Sequence, residues 1–336
     1  SRRCRVGKSG KPKATRGGRS PSPARAKRPG GIRLFLRAAG APFWTASALP
    51  VLMGSTLPFW LRPPEFIFNW LNALEAVVAI VLIHAGSDLA NEYYDFKSNA
   101  DTANPNRGGL SGGSGILPDG AASERFLARS FIACYVVGAA LGIHLNSVVP
   151  GNTILIIGAA GVLGGFFYTA PPLRLSYRGL GEIVLGFCFG VLPVVGAYYL
   201  QTHSLSWHVV VASLPITFAI VNVLWVNQLP DFAPDRDSGK RTLVVRMGTA
   251  AGARGGVTML VGLIFATLFL AVFTASVIPL SLVAVLAFGL ARTVVVDSWK
   301  HHSEPALLVE AQDSALKLHL TVGLIMALSP LVAIGS

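Results

Sequence analysis

Charge is scarce in this 336-residue chain, where Asp, Glu, Lys and Arg make up 13% of the residues. A soluble globular domain carries about 25%, so that class is excluded. Cysteine is nearly absent, at three residues, Cys4, Cys134 and Cys188. Their wide spacing excludes a disulfide scaffold and a cysteine metal centre, and Cys134 and Cys188 read as small core residues in apolar runs. Strict alternation of polar and apolar residues is also missing, which excludes a β-barrel. No apolar segment with a small-residue cleavage site follows the basic start, so no signal peptide is expected.

Hydrocarbon is abundant instead. Hydrophobic residues make up 52% of the chain, and the mean hydropathy is +0.56. Apolar stretches near 20 residues recur, each long enough to cross about 30 Å of hydrocarbon. Nine spans are expected, at 36–60, 67–90, 124–145, 151–168, 181–201, 206–228, 250–275, 277–297 and 316–335. The expected fold is all-α: a polytopic membrane protein of nine transmembrane helices around a central cavity, with cap loops on the cytoplasmic side. Residues 32–336 form that domain.

The net charge of +12 is concentrated, because 13 of the 28 Lys and Arg residues lie in residues 1–38. Residues 1–31 are basic, rich in Gly, Pro and Ser, and lack apolar periodicity, so a disordered tail is expected. Its charge suits anionic lipid head groups; no nucleic-acid partner is expected. Together with the tail, the loops after the second, fourth, sixth and eighth spans hold almost every cation, whereas the odd loops hold only Arg62. By the positive-inside rule the N-terminus and the even loops face the cytoplasm of a cell whose inner membrane holds the chain.

Two acidic clusters break the apolar pattern on that side. In the first, DLANEYYDFKSNAD, Asp88, Asn91, Glu92 and Asp95 fall at i, i+3, i+4 and i+7, one helical face, with Asp101 beyond. In the second, NQLPDFAPDRDSGKRT, Asp231 and Asp235 are again i, i+4. Carboxylates beside hydrocarbon are costly unless neutralised. Oxygen-only ligands in pairs suit Mg²⁺, which keeps waters and shares phosphates with a substrate. The expected ligands are Asn91, Glu92, Asp95, Asp101, Asp231 and Asp235. Lys97, Arg107, Lys240 and Arg241 suit the remaining charge of a diphosphate. Solvated loops do not need helical spacing repeated on two matching loops. A cation transporter would place its acids near mid-membrane, not at one face.

This arrangement resembles the UbiA superfamily of intramembrane prenyltransferases, whose N-D-x-x-D and D-x-x-x-D motifs lie on cytoplasmic loops. Here they are Asn91-Glu92-Tyr93-Tyr94-Asp95 and Asp231-Phe232-Ala233-Pro234-Asp235. Glu92 stands where the family has Asp, and Pro230 and Pro234 interrupt the second motif. RDSGKRTLVVRMG (236–248) and APFWTASALPVLMG (41–54) look like the branch that prenylates 1,4-dihydroxy-2-naphthoate in menaquinone biosynthesis. Ala41 stands where that branch often has Arg. The resemblance implies transfer of a polyprenyl group from its diphosphate to an aromatic acceptor, with Asp95, Asp231, Asp235 and Tyr168 catalytic. It also implies that, in the loop YTAPPLRLSYRGLGE (168–182), Tyr168 faces the allyl cation and Arg174 contacts phosphate or acceptor. Related enzymes use 4-hydroxybenzoate, homogentisate, a porphyrin or a glycerol-phosphate lipid, and these acceptors stay open. RGGLSGGSGILPDG (107–120) lacks the G-K-[ST] ending of a nucleotide phosphate loop and reads as a mobile lid. His84 and His319 read as structural.

Overall fold

The structure is a computed structural model that describes residues 31–64, 66–105, 110–275 and 279–332. The basic tail, but for Gly31, and Arg107 lie outside the described residues. All regular structure among the described residues is helical. A short amphipathic helix α1 (Gly31–Ala38) precedes α2 (Thr45–Thr56), α3 (Trp70–Lys97), α4 (Glu124–Ser147) and α5 (Thr153–Phe167). Then come α6 (Gly181–Thr202) and α7 (Trp207–Gln228), and a one-turn helix α8 (Phe232–Asp237). Helices α9 (Thr249–Ala271), α10 (Pro279–His301) and α11 (Val309–Val332) complete the bundle.

The described residues bear out part of the nine expected spans. Six helices among the described residues are long and apolar enough to cross a membrane, namely α3, α4, α6, α7, α9 and α11. The first expected span, 36–60, is broken. Gly40 adopts a left-handed φ of 59°, Pro42 follows, and Pro58 starts a separate turn, Pro58–Leu61. Helix α5 has 15 residues, about 22 Å at 1.5 Å per residue, short of the usual span.

Two helices organise the rest. Helix α2 packs on the second half of α6, on α11 and on α3, while α7 packs on α9 and α11. Their shared core is made of Leu49, Met53, Ile216, Val226, Leu318 and Met326, all at most 5% exposed. Small residues let the backbones approach. A Cβ on Gly54 of α2 would stand 2.2 Å from the Val194 carbonyl oxygen of α6. One π-helical turn, Phe187–Val191, interrupts α6 and inserts an extra residue into that helix. Away from the acid clusters, Asn69 caps α3 and is gripped by Gln201, whose Oε1 accepts from Asn69 N at 2.8 Å and whose Nε2 donates to Asn69 O at 2.9 Å. Glu75 pairs with His144 at 2.7 Å.

The tight α2–α6 contact yields a comparison. Gly54→Val is expected to lower the unfolding midpoint in detergent, by an overpacking cost of about 1–3 kcal/mol. Gly158→Val, where an added Cβ meets nothing within 4 Å, is expected to leave the midpoint nearly unchanged. Equal losses in thermal scans of both variants would refute the packing account.

Candidate active site

The two acidic clusters reach one cavity of about 290 Å³. Helix α3 runs unbroken from Trp70 to Lys97, so Asp88, Asn91 and Asp95 project from one side of it, and all three line the cavity. The second cluster arrives from the end of α7. Asp231 caps α8, and Asp235 N donates to Asp231 O at 2.9 Å. Pro234 therefore falls in the first helical turn, where its missing N–H costs nothing, and Asp231 and Asp235 both line the cavity.

Lys240 joins the clusters. Its Nζ lies 3.2 Å from Asp95 Oδ2 and 3.8 Å from Asp235 Oδ1. Tyr177 donates to the other Asp95 oxygen at 2.7 Å, with the Arg174 guanidinium stacked 3.9 Å from its ring centre. Asp231 accepts from Asn104 Nδ2 at 2.8 Å and from Gly112 N at 3.0 Å. Burial pushes the Asp235 carboxyl up to about 7, against the pull of Lys240. Burial also raises Asp231, while Asn104, Lys240 and Gly112 hold it back. Burial alone would lower the Lys240 ammonium, but Asp235 and Asp95 lift it well above its ordinary value, so it stays charged.

The expected residues divide by position. Asn91, Asp95, Asp231, Asp235, Tyr168 and Lys240 share the cavity. Glu92 does not: its carboxylate is taken by Ser114. Lys97 points away, 3.6 Å from Glu124 and half exposed. Arg241 is exposed and uses its backbone, its N donating to Tyr177 O at 3.1 Å. Arg174 does not line the cavity and meets the site through the Tyr177 ring. Of Asp101, only its place in the short helix Ala100–Ala103 is described.

Three further groups were not evident from the sequence. His84 lines the cavity, 3.3 Å from Asp88 and 3.0 Å from Ser47 Oγ; an apolar run around it had pointed to a structural role. Asn104 has no periodic pattern to mark it. Gln228 lines the cavity near the second motif; an amide just before that motif was the available signal.

The cavity has two zones. One end is polar. The body is apolar, walled by Phe43, Val184, Leu185, Phe189, Ile220 and Val223, with Phe189 edge-on to His84 at 4.5 Å. Such a space suits a ligand with an anionic head and a hydrocarbon tail. For a cation, no three Asp, Glu, His or Cys side chains among the described residues form a ready-made cage. The donors of the two acid clusters are oxygens, and two buried oxygens of the lining, Asn91 Oδ1 and Gln228 Oε1, lack a partner. That set fits Mg²⁺ completed by waters and phosphate oxygens.

Lys240→Met would leave Asp95 and Asp235 buried without their counter-charge, a loss on the order of 3–5 kcal/mol. The expected result is a clear drop in the unfolding midpoint of metal-free protein, partly recovered by added Mg²⁺. An unchanged midpoint would show that the carboxylates do not depend on the ammonium.

Comparisons with known proteins bear on this arrangement. Residues 47–313 match the UbiA prenyltransferase family. A 1,4-dihydroxy-2-naphthoate octaprenyltransferase of Bacillus subtilis is 29% identical over 217 residues, covering 64% of this chain and 65% of that protein. The chain thus spans about two thirds of that relative's length. A 2-carboxy-1,4-naphthoquinone phytyltransferase of Synechocystis is 25% identical over 309 residues, covering 92% of this chain and 95% of that protein. Among solved structures, a UbiA homolog from Archaeoglobus fulgidus bound to GPP and Mg²⁺ superposes with a TM-score of 0.61 at 17% identity, covering 87% of this chain and 99% of that one. Matched by the family model over residues 47–313 and sharing the helical fold of that homolog, the chain belongs to the UbiA prenyltransferase family.

Proposed function

We propose that this protein is a Mg²⁺-dependent intramembrane prenyltransferase that moves a polyprenyl group from its diphosphate to 1,4-dihydroxy-2-naphthoate. The observation that carries this reading is the meeting of Asp95 and Asp235 around Lys240 at the polar end of an apolar cavity. Family membership and the naphthoate specificity named for the Bacillus relative support it. The acid end faces the cytoplasm, on the charge asymmetry of the loops.

The residues divide the work. Asn91, Asp95, Asp231 and Asp235 would hold Mg²⁺, which when bound neutralises the donor's diphosphate as its charge grows. Lys240 supplies a fixed positive charge at the same end, where burial strengthens it. The allylic C–O bond then breaks with its electron pair leaving on the diphosphate. Tyr168 lines the same cavity, and an aromatic ring there would stabilise the allylic cation. The apolar wall keeps water from trapping that cation before the electron-rich ring attacks. Loss of the acceptor's carboxyl group as CO₂ follows for a dihydroxynaphthoate. Lipid surrounds the bundle and receives the prenyl tail.

An acceptor screen tests the reading. Purified protein in detergent is given geranylgeranyl diphosphate, Mg²⁺ or EDTA, and a panel of aromatic acids, and products are read by mass spectrometry. A decarboxylated prenyl-naphthoquinol that forms only with Mg²⁺ is expected. Asp95→Asn and Asp231→Asn should each lower the rate by roughly 10²-fold or more. A product from another acceptor alone would overturn the naphthoate assignment, and full turnover in EDTA would overturn the metal role.

A further inference from the structure

Glu92 differs from the other acids of its stripe in where it points. At about 100° per residue, Asn91, Asp95 and Asp88 follow one another around α3, and Glu92 falls about 40° beyond Asp88 at the stripe's edge. There its carboxylate meets Ser114. Ser114 N donates to Glu92 Oε2 at 2.9 Å, and Ser114 Oγ donates to Oε1 at 2.7 Å. The same serine is held from a second side, because Arg37 Nη2 donates to its carbonyl at 2.5 Å. Its Oγ also accepts from the N–H of Ile116 at 3.3 Å, and Ile116 is 1% exposed. Two residues earlier, Gly112 N donates to Asp231. The segment is thus tied to both acidic clusters, to the first through Ser114 and to the second through Gly112.

That segment is a partition. Leu110, Ser111 and Gly113 line the cavity on one side, and on the other a groove of about 640 Å³ beneath α1. Glu92 lines the groove and not the cavity.

We propose that Glu92 is a positioning residue and not a metal ligand: it clasps Ser114, so that residues 110–113 stand as the cavity wall and the Gly112 N–H reaches Asp231. The longer arm of Glu explains its use here, since an aspartate at position 92, one methylene shorter, would stop short of Ser114. The carboxylate's hydrogen-bonding capacity is spent on a serine backbone and hydroxyl, which are charge-assisted contacts. The proposal rests on the reading of the cavity as a donor-diphosphate and Mg²⁺ site.

The test uses the full chain in detergent, without donor, and two independent readouts. Hydrogen exchange over residues 110–116 reports the clasp, and Mn²⁺ binding followed by electron paramagnetic resonance reports the metal site. Glu92→Ala and Ser114→Ala are expected to quicken exchange in that segment by roughly tenfold or more. Glu92→Gln keeps an oxygen for Ser114 and is expected to hold Mn²⁺ within about twofold of the unmodified protein, whereas Asp95→Asn weakens Mn²⁺ by about tenfold or more. Unchanged exchange in Glu92→Ala would overturn the clasp. A tenfold loss of Mn²⁺ affinity in Glu92→Gln would make Glu92 a ligand after all. If the unmodified protein binds no Mn²⁺, the donor-site reading fails, and exchange still decides whether Glu92 holds the wall.

Discussion

The Lys240 ammonium stands between Asp95 and Asp235, and the rest of the site is arranged around that contact. Asp95 belongs to the long helix α3 and Asp235 to the turn after α7. The contact therefore ties together parts of the chain 140 positions apart, counted from 95 to 235. A buried ion pair is a poor source of net stability, because dehydration offsets most of the attraction. Its value here is geometric. It fixes where two carboxylates sit; Tyr177 orients Asp95, and Asn104 orients the neighbouring Asp231. The same ammonium keeps the acids from repelling each other in an apolar surround.

The helical bundle and the acid clusters were legible in the sequence because both are local patterns. Apolar length marks α3, α4, α6, α7, α9 and α11, and i, i+4 spacing marks Asp231 and Asp235. What was not legible depends on neighbours distant in sequence. Pro42 and Pro58 hint that the first span is divided, but no local pattern places the left-handed turn at Gly40. Spacing places Glu92 on the acidic stripe, but only the partner at Ser114 shows that its carboxylate serves the neighbouring groove. Lys97 and Arg241 carry the right charge beside the right motifs, yet each points outward. Lys240, on the second motif's tail, turns inward. His84 was read from its apolar surroundings, and those surroundings are the cavity wall.

The cavity's two zones follow from where each element ends. Polar groups come from the C-terminal half of α3, the end of α7 and the loops beyond them; most apolar groups come from helix interiors. The π-helical turn in α6 falls among these, with Cys188 and Phe189 lining the space. Close approach is built from glycine. A Cβ on Gly190 would stand 2.1 Å from Thr217 Oγ1, and one on Gly164 would stand 2.5 Å from Cys188 Sγ. The cavity's width is set by missing side chains as much as by present ones.

Helix α5 adds a consequence for the surrounding lipid. At 15 residues it is about 22 Å long, against roughly 30 Å of hydrocarbon in a typical bilayer. Its Gly164 and Gly165 border the cavity, so this short wall of the bundle is also a wall of the site. Lipid beside α5 must thin, or residues flanking the helix must enter the hydrocarbon. The mismatch with the bilayer thus falls on a helix that the site shares.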